Sequence, residues 1–338
     1  MSVASRKDMH IEKCLTDAEI DRRCSGFENI VLSHRAMPEL DFDSIDTSVD
    51  FLGRKLSFPF ILASMTGGTS AETIRINRNL AMAAEECKVA MSVGSQRVMF
   101  TDKDAEESFK LREYAPSVPL IANLGAVQLN YGFGIDECRQ AVEILDADAL
   151  FLHLNPLQEV IQNSGNGNFA ALAEKIKTIR AQLEVPLMIK ETGCGLSKFD
   201  YRLLINCGIR YIDVAGRGGT SWSRIEHLCR NDENSDGITF QDWGLTTCQA
   251  IEQADGLYDK LFLIAGGGIR SGTDIAKAMI LGARMGSAAL PFLNAALESS
   301  DAVVKLIREY EKQFKITMFL LGIGKAQNLI RNKNLRID

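Results

Sequence analysis

Two glycine-rich stretches in the last third of the chain have the residue types of a phosphate site. Gly266, Gly267 and Gly268 follow one short apolar run, and Gly286 with Ser287 ends the next run. Glycine lets backbone N–H groups approach a phosphate closely, and a helix that begins there adds a favourable dipole. One glycine triplet alone is weak support, but two such stretches on consecutive runs predict a phosphate site.

Lys190 ends a different apolar run and is followed directly by Glu191. The lysine could simply pair with this neighbouring carboxylate. Alternatively, its cation lies beside the electron-rich edge of a bound ring, where it would stabilise a reduced, anionic cofactor. The predicted phosphate site favours the second interpretation.

A compact polar segment, HLNPLQE, occupies residues 153–159. His153 and Asn155 alternate along a strand, so their side chains share one face. Gln158 and Glu159 follow Pro156 in a loop or a first helical turn. One carboxylate with amide neighbours suits Mg²⁺, which keeps most of its waters and takes one or two protein carboxylates. A carboxylate at a helix start also complements the helix dipole, and taken alone that role is the better interpretation of Glu159.

Cationic residues gather at two further places. Arg6 and Lys7 lie near the N-terminus with His10, and Gln96 and Arg97 follow another apolar run. A basic pair near a terminus is usually solvated, whereas Arg97 at a strand end is suited to bidentate phosphate binding. If the N-terminal segment folds over these strand ends, both places would hold one anionic substrate.

These residues belong to one repeated pattern, in which a short apolar run ends in small or polar residues and an amphipathic stretch follows. The runs are residues 60–65, 90–95, 120–124, 149–154, 187–191, 210–215, 261–265 and 283–288. Such runs are typical of strands buried on both faces of a parallel sheet. Eight strand–helix units favour an α/β fold, a single (β/α)₈ TIM barrel, in which function is found at the carboxyl ends of the strands.

Length and composition agree with one globular domain. The 338 residues are 46% hydrophobic with a formal charge of −6, and we predict a single domain over 1–338. Its parts would be an N-terminal extension (1–55), the barrel (56–295) and C-terminal helices (296–338). The eight cysteines have no C-x-x-C spacing, no signal peptide is recognisable and no apolar run is long enough to span a membrane. We therefore expect a cytoplasmic protein with reduced thiols that binds neither nucleic acid nor membranes.

The chain resembles the type 2 isopentenyl-diphosphate Δ-isomerases. The resemblance runs from Arg6 to beyond Phe292 and rests on the segments RKDMHI, ASMTGG, SVGSQR, ANLGA, HLNPLQE, IKETGCGLS, AGRGGTSW, AGGGIRSGTDIAKA and LGARMGSAALPF. HLNPLQE, GSQR and the RK-x-x-H pattern are specific to this family, whereas many flavin-binding barrels share the glycine-rich segments.

This resemblance implies an isomerase that interconverts isopentenyl and dimethylallyl diphosphate with reduced FMN and Mg²⁺, NADPH serving only to keep the flavin reduced. It also implies a homo-oligomer, a tetramer or an octamer. The FMN contacts would be Ser64, Met65, Thr66, Ser95, Asn123, Lys190 and Thr220, with Gly267, Gly268, Ser287 and Ala288 at the phosphate. The substrate contacts would be Arg6, Lys7, His10, Ser95, Gln96, Arg97, His153, Asn155 and Gln158. Gln158, beside the alkene, and His153 would be catalytic, and Glu159 would bind Mg²⁺.

Three other functions are compatible with a flavin-binding barrel. A 2-hydroxy-acid oxidase needs a base, commonly His, near the sixth or seventh strand end, where this chain has only His227 further along. A purine-nucleotide dehydrogenase needs a nucleophilic cysteine, for which Cys194 is the nearest candidate. A flavin-binding barrel without catalytic activity is the third.

Overall fold

A computed structural model describes residues 3–230 and 235–337 of the chain. Its strands are β1 (Val31–Leu32), β2 (Val49–Phe51), β3 (Arg54–Leu56), β4 (Phe60–Leu62), β5 (Ala90–Ser92), β6 (Leu120–Gly125), β7 (Ala149–Leu154), β8 (Leu187–Glu191), β9 (Tyr211–Asp213), β10 (Phe262–Ala265), β11 (Met285–Ala288) and β12 (Arg336–Ile337). Its α-helices are α1 (Val3–Thr16), α2 (Ala71–Cys87), α3 (Ile135–Leu145), α4 (Pro156–Ile161), α5 (Leu172–Gln182), α6 (Lys198–Asn206), α7 (Trp222–Leu228), α8 (Asp236–Thr239), α9 (Thr247–Glu252), α10 (Gly272–Leu281), α11 (Leu290–Glu298) and α12 (Ser300–Leu320).

Strands β4 to β11 form a closed parallel barrel, which confirms the predicted (β/α)₈ fold. The barrel closes where β11 pairs with β4, with Ser287 opposite Ile61. Every residue of β4, β5, β6 and β8 is buried, as expected for strands covered on both faces. Several strands are shorter than predicted, because the chain bends away early at the mouth. After β9, for example, Ala215 already has a φ of +33°.

The N-terminal extension covers both ends of the barrel. The hairpin β2–β3 closes the amino end, where Phe51 and Leu56 pack against barrel residues such as Phe151 and Met188. At the opposite end, α1 lies over the carboxyl ends of the strands. Its Lys7, His10, Ile11 and Cys14 line the cavity at the mouth, and this i, i+3, i+4, i+7 spacing puts them on one face of the helix.

Two ion pairs hold the segment after α1 against the barrel. Asp17 pairs with Arg224 of α7 (2.9 Å), and Asp21 pairs with Arg270 in the loop after β10. Next to Asp21, the half-buried Arg22 guanidinium donates to the carbonyl oxygens of residues 193, 219, 220 and 241, which lie after β8 and in the long connection between β9 and β10. The position of α1 is therefore fixed by the same loops that form the mouth.

The C-terminal region, predicted as helices over 296–338, contains more than helices. Helix α12 packs against α2 and α10 as expected. The chain then returns to the extension, where β12 pairs antiparallel with β1, Val31 lying opposite Ile337. Within the described residues, every helix is too short or too polar to cross a membrane.

A charge network at the amino end of the barrel links three strands. Asp148, just before β7, accepts hydrogen bonds from Arg54 Nη2 (2.8 Å), Arg112 Nη2 (2.8 Å) and the backbone N–H of Leu120 (2.9 Å). Burial tends to raise the pKa of this carboxyl. The N–H of Leu120 and the two guanidinium groups outweigh that effect and hold the pKa below its usual range.

We expect Asp148→Asn to lower the free energy of unfolding by about 2 kcal/mol at pH 7, because two partly buried cations lose their partner. Since the folded-state pKa is depressed, the difference from wild type should shrink as the pH falls below about 4. Urea unfolding at several pH values measures both effects. Glu184→Gln, which breaks the exposed pair with Arg139, is the control and should leave the free energy of unfolding nearly unchanged. A loss in Asp148→Asn no larger than that of the control would contradict this role.

Candidate active site

The cavity at the barrel mouth has two connected parts. The first, here called the roofed recess, lies beneath α1 and is lined by cations, amides and apolar side chains. The second, the glycine recess, lies among the loops after β9, β10 and β11. Ser64, Lys190, Thr220 and Trp222 line both parts, so the two recesses meet above the centre of the barrel.

The structure brings nearly all of the predicted site residues to this cavity. The roofed recess contains Arg6, Lys7, His10, Ser64, Met65, Thr66, Ser95, Arg97, Asn123, His153, Asn155, Gln158, Glu159, Lys190 and Thr220. The glycine recess contains Gly267, Gly268, Ser287 and Ala288. The predicted FMN contacts and the predicted substrate contacts therefore lie in one continuous space.

Gln96 is the exception, because its side chain does not face the cavity, and its contact with the substrate stays a prediction. Gln96 is fully buried and does not line the cavity. Its Nε2 donates to the carbonyl of Ala141 (2.8 Å), and its Oε1 accepts from the backbone N–H of Asn123 (3.0 Å). Both ends of the amide are thus occupied by the protein, and Gln96 helps to position β6.

Two cations of α1 are held in the roofed recess without a carboxylate partner among the residues that the structure describes. Lys7 Nζ donates to the carbonyl of Ser95 (2.7 Å) and lies 5.7 Å from the ring centre of Phe109. Burial, and secondly the charge of Arg6, lower the pKa of Lys7 to about 7. The buried Nε of Arg6 has no hydrogen-bond partner. This arrangement leaves positive charge available for an anion.

Unpartnered polar atoms concentrate in this cavity. In the described part of the chain, five buried side-chain nitrogen or oxygen atoms have no hydrogen-bond partner, and four of these belong to residues of the roofed recess. The four are Arg6 Nε, His10 Nε2, Thr66 Oγ1 and Asn155 Oδ1. Because buried polar groups are normally satisfied, the recess is suited to a polar ligand that completes these hydrogen bonds.

A hydrogen-bonded chain of side chains crosses four neighbouring strand ends. Ser92 and Ser64 share a hydrogen bond of 2.6 Å, Asn123 Nδ2 donates to Ser64 Oγ (3.0 Å), and Asn123 Oδ1 lies 2.8 Å from His153 Nδ1. Burial and the charges of Lys190, Lys7 and Arg97 lower the pKa of His153 to about 3. His153 is therefore neutral at physiological pH, and its ring is held in place by Asn123.

The HLNPLQE segment forms a second network, at the start of α4. Asn155 Nδ2 donates to Gln158 Oε1 and to Glu159 Oε1, both at 3.0 Å, and Glu159 Oε2 accepts from the backbone N–H of Asn166 (2.6 Å). Within residues 3–230 and 235–337, no group of three or more His, Cys, Asp or Glu side chains could hold a metal ion. A cation at Glu159 would therefore depend on one carboxylate, on the free Asn155 Oδ1 and on oxygen atoms of a ligand or of water, a set that suits Mg²⁺.

Glu226 of α7 is a functional candidate that the sequence analysis missed. Its buried carboxylate accepts from Gln158 Nε2 (2.8 Å) and lies 3.3 Å from His10 Nε2, which is not aligned for a hydrogen bond. Burial tends to raise the pKa of Glu226, but His10, Gln158 and Arg6 together lower it. One feature of the sequence could have indicated this residue. Glu226 follows Trp222 by four positions, so the two side chains share one face of the helix, and Trp222 lines the cavity.

The glycine recess depends on backbone shapes that only glycine permits. Gly267 and Gly268 have φ values of +91° and +81°. A Cβ atom at Gly267 would lie 2.0 Å from the carbonyl oxygen of Gly216, and one at Gly268 would lie 2.6 Å from Ser25 Cβ. Ser287 also lines this recess, and its Oγ donates to Asp213 Oδ2 (2.8 Å). Ser287 can offer a phosphate its backbone N–H, but not its hydroxyl proton.

Lys190 lies where the two recesses meet and does not pair with the carboxylate of Glu191. Its Nζ donates to the backbone carbonyl of Glu191 (2.7 Å). The Glu191 carboxylate accepts instead from the backbone N–H groups of residues 192–194, and burial raises its pKa to about 7. Cys194 is no nucleophile, because burial raises its pKa to about 12. The Lys190 cation therefore remains available to a ligand.

Comparison with known proteins matches the chain to the FMN-dependent dehydrogenase family over residues 10–109 and 148–336. An isopentenyl-diphosphate delta-isomerase of Paracoccus zeaxanthinifaciens is 54% identical over 98% of this chain and 97% of its own length. One from Hydrogenovibrio crunogenus is 51% identical and covers 98% of both chains. A solved structure of flavocytochrome b2 with pyruvate bound is 20% identical, with a TM-score of 0.69 over 97% of this chain and 82% of that chain. That structural likeness supports the barrel fold alone.

The charge state of Lys7 makes a pH-dependent prediction for anion binding. Because its pKa is about 7, Lys7 is charged below that pH and neutral above it. We expect the affinity for sulfate, which does not titrate in this range, to fall between pH 6 and 8 by at most about tenfold per pH unit. Isothermal titration calorimetry measures this slope.

The Lys7→Met protein should bind sulfate more weakly and lose the slope. Lys55→Met, at an exposed position of β3, is the control and should behave as wild type. Equal slopes in wild type and Lys7→Met would contradict the assignment.

Proposed function

The chain belongs to the FMN-dependent dehydrogenase family and, within it, to the isopentenyl-diphosphate delta-isomerases, and from this premise we propose that it interconverts isopentenyl and dimethylallyl diphosphate with FMN bound at the barrel mouth. One observation carries the proposal: the two recesses are each suited to an anion, and they meet at Lys190. One is lined by glycine backbone and the other by the cations of α1. A phosphate-bearing cofactor and a diphosphate substrate would thus share one cavity.

The glycine recess fits the phosphate end of FMN. At Gly267 and Gly268 the chain presents only its backbone to the recess, because close packing leaves no room for a side chain at either position. The ring system would lie toward Lys190, with Ser64, Met65, Thr66, Asn123 and Thr220 around it. The unpartnered Thr66 Oγ1 supports this placement, since a polar ring edge would satisfy it.

The roofed recess fits a diphosphate with a short apolar tail. Arg6, Lys7 and Arg97 supply positive charge, and the neutral His153 adds a hydrogen-bonding ring. Apolar side chains form the remaining wall. These are Ile11, Met65, Trp222, Leu290 and Leu293. A five-carbon alkenyl group bears no charge and would lie against this wall.

The reaction requires a proton to be delivered to one carbon and another to be removed two carbons away. Protonating an unactivated alkene develops positive charge at a tertiary carbon, which a nearby electron-rich surface stabilises. Among the described residues, Glu159 is the only carboxylate that lines the roofed recess. When bound, reduced FMN would supply both the electron-rich surface and an acid–base group that the side chains lack.

The side chains around the alkene would hold and orient it. Gln158 donates to Glu226 and accepts from Asn155, so its amide is fixed on both sides. Glu226 lies behind Gln158, and its carboxylate would keep the Gln158 amide nitrogen turned away from the substrate. Glu159, with Asn155 Oδ1, would bind Mg²⁺ shared with the diphosphate. NADPH as the flavin reductant, the homo-oligomer and the cytoplasmic location stay predictions.

The activity is tested by incubating the protein anaerobically with isopentenyl diphosphate, FMN, NADPH and Mg²⁺. We expect dimethylallyl diphosphate, detected by proton NMR, with far less than one NADPH consumed per turnover. Gly267→Ala should lose FMN binding and activity together, because its Cβ would meet the Gly216 carbonyl oxygen. Gly256→Ala is the matched control, since that glycine also has a positive φ but has open space around it. No product from a wild-type protein with bound FMN would overturn the proposal.

The metal site is tested by Glu159→Gln, which keeps the size of the side chain but removes its charge. We expect the Mg²⁺ concentration at half-maximal activity to rise at least about tenfold, with FMN affinity unchanged. Glu174→Gln, at an exposed position of α5, is the control. An unchanged Mg²⁺ response in Glu159→Gln would remove this residue from the metal site.

A further inference from the structure

Asp213, the last residue of β9, is a buried carboxylate outside the predicted site, and its side chain is 2% exposed. Its Oδ1 accepts from the backbone N–H groups of Ala215 (3.0 Å) and Gly266 (2.9 Å). Its Oδ2 accepts from Ser287 Oγ (2.8 Å). These partners lie at the ends of β9, β10 and β11. One carboxylate therefore ties together the three strand ends that form the glycine recess.

The loops around Asp213 pack closely against it and against each other. A Cβ at Gly266 would lie 2.3 Å from Asp213 Oδ1. The next residue, Gly267, is packed equally closely against Gly216 of the loop after β9. The backbone of the recess thus packs directly against the Asp213 carboxylate. A change in this carboxylate is therefore expected to shift the backbone that lines the recess.

A carboxylate beneath a phosphate site is unexpected, because it repels the ligand that the site would hold. Lys190 supplies the compensating charge. It is paired in register with Asp213 on the neighbouring strand β8, and both residues line the glycine recess. Burial raises the pKa of Asp213 and lowers that of Lys190, and the charge of each residue opposes the shift of the other.

We propose that Asp213 is a positioning residue for FMN, fixing the phosphate loops and offsetting the charge of Lys190. This inference rests on the proposed function, because it concerns the same cofactor. An unopposed Lys190 would favour the reduced cofactor, which gains negative charge on reduction. With Asp213 in place, oxidised and reduced FMN bind with more similar affinities, and the oxidised protein keeps its cofactor.

The test uses Asp213→Asn, which keeps the size of the side chain and the Oδ1 acceptor but removes the charge. We expect the affinity for oxidised FMN to fall about tenfold as the loops loosen. The preference for reduced FMN should rise about tenfold, which is a shift of the two-electron midpoint potential by about +30 mV. Fluorescence titration measures the affinity, and equilibration with a redox dye measures the potential.

Asp148→Asn is the matched control, since it removes a partly buried carboxylate at the opposite end of the barrel. It should be less stable than wild type, with an unchanged midpoint potential. If Asp213 had a purely structural role, Asp213→Asn would likewise be less stable than wild type with an unchanged midpoint potential. That result, or unchanged FMN affinity together with an unchanged potential, would overturn the inference.

A second variant tests the charge even if Asp213→Asn does not fold. Lys190→Gln leaves the Asp213 charge unopposed, so its bound FMN should have a midpoint potential below that of free FMN. A potential at or above that of free FMN would overturn the inference. Failure of the proposed function is distinguishable, because wild-type protein would then bind no FMN or form no product.

Discussion

Pairing of β11 with β4 closes the sheet, and because all eight strands are parallel, their carboxyl ends meet at one mouth. Polar side chains at these ends are buried together, where an unsatisfied group is costly. They satisfy one another around the ring, with Ser64, Asn123 and His153 in one chain of contacts and Asp213 with Ser287 in another. Lys190 lies between these two sets and contacts only a backbone carbonyl by hydrogen bond. The Lys190 cation therefore faces the cavity, as do the unpartnered Thr66 Oγ1 and Asn155 Oδ1.

Helix α1 adds the second half of the site, with charge from Arg6 and Lys7 and apolar contact from Ile11. Its position is set by ion pairs of the following segment, in which Asp17 binds Arg224 of α7 and Asp21 binds Arg270 in the loop after β10. This anchoring holds Arg6 and Lys7 half-buried in the roofed recess. Cations held this way are poorly solvated, and a diphosphate would replace the lost solvation. The acidic net charge of the chain thus coexists with a locally cationic site.

The barrel fold and most of the residues that gather at its mouth could be predicted from the sequence, and the physical reason is the same for both. Strands buried on both faces leave continuous apolar runs, and the residues that end those runs must meet at one edge. The sequence did not show that the neighbouring side chains of Gln96 and Arg97 face different ways, because it did not reveal the 3₁₀ helix over Gln96–Phe100. Consecutive side chains of such a helix point about 120° apart, so one faces the recess and the other the core.

Asp213, Glu226 and β12 were not predicted, because their roles depend on contacts between distant parts of the chain. Glu226 and Gln158 are hydrogen-bonded although they are 68 residues apart in the sequence, and Asp213 and Ser287 are 74 residues apart. Local periodicity can indicate which face of an element such a residue occupies. It carries no information about the partner that the tertiary structure brings to that face.

The central claim is that one cavity holds FMN in its glycine recess and a diphosphate beneath α1. The most direct measurement is a crystal structure of the protein with oxidised FMN and isopentenyl diphosphate, prepared without reductant so that no turnover occurs. The account predicts the FMN phosphate against Gly267 and Gly268, and the diphosphate against Arg6, Lys7 and Arg97. A diphosphate bound outside the roofed recess, or an FMN phosphate away from the two glycines, would contradict it.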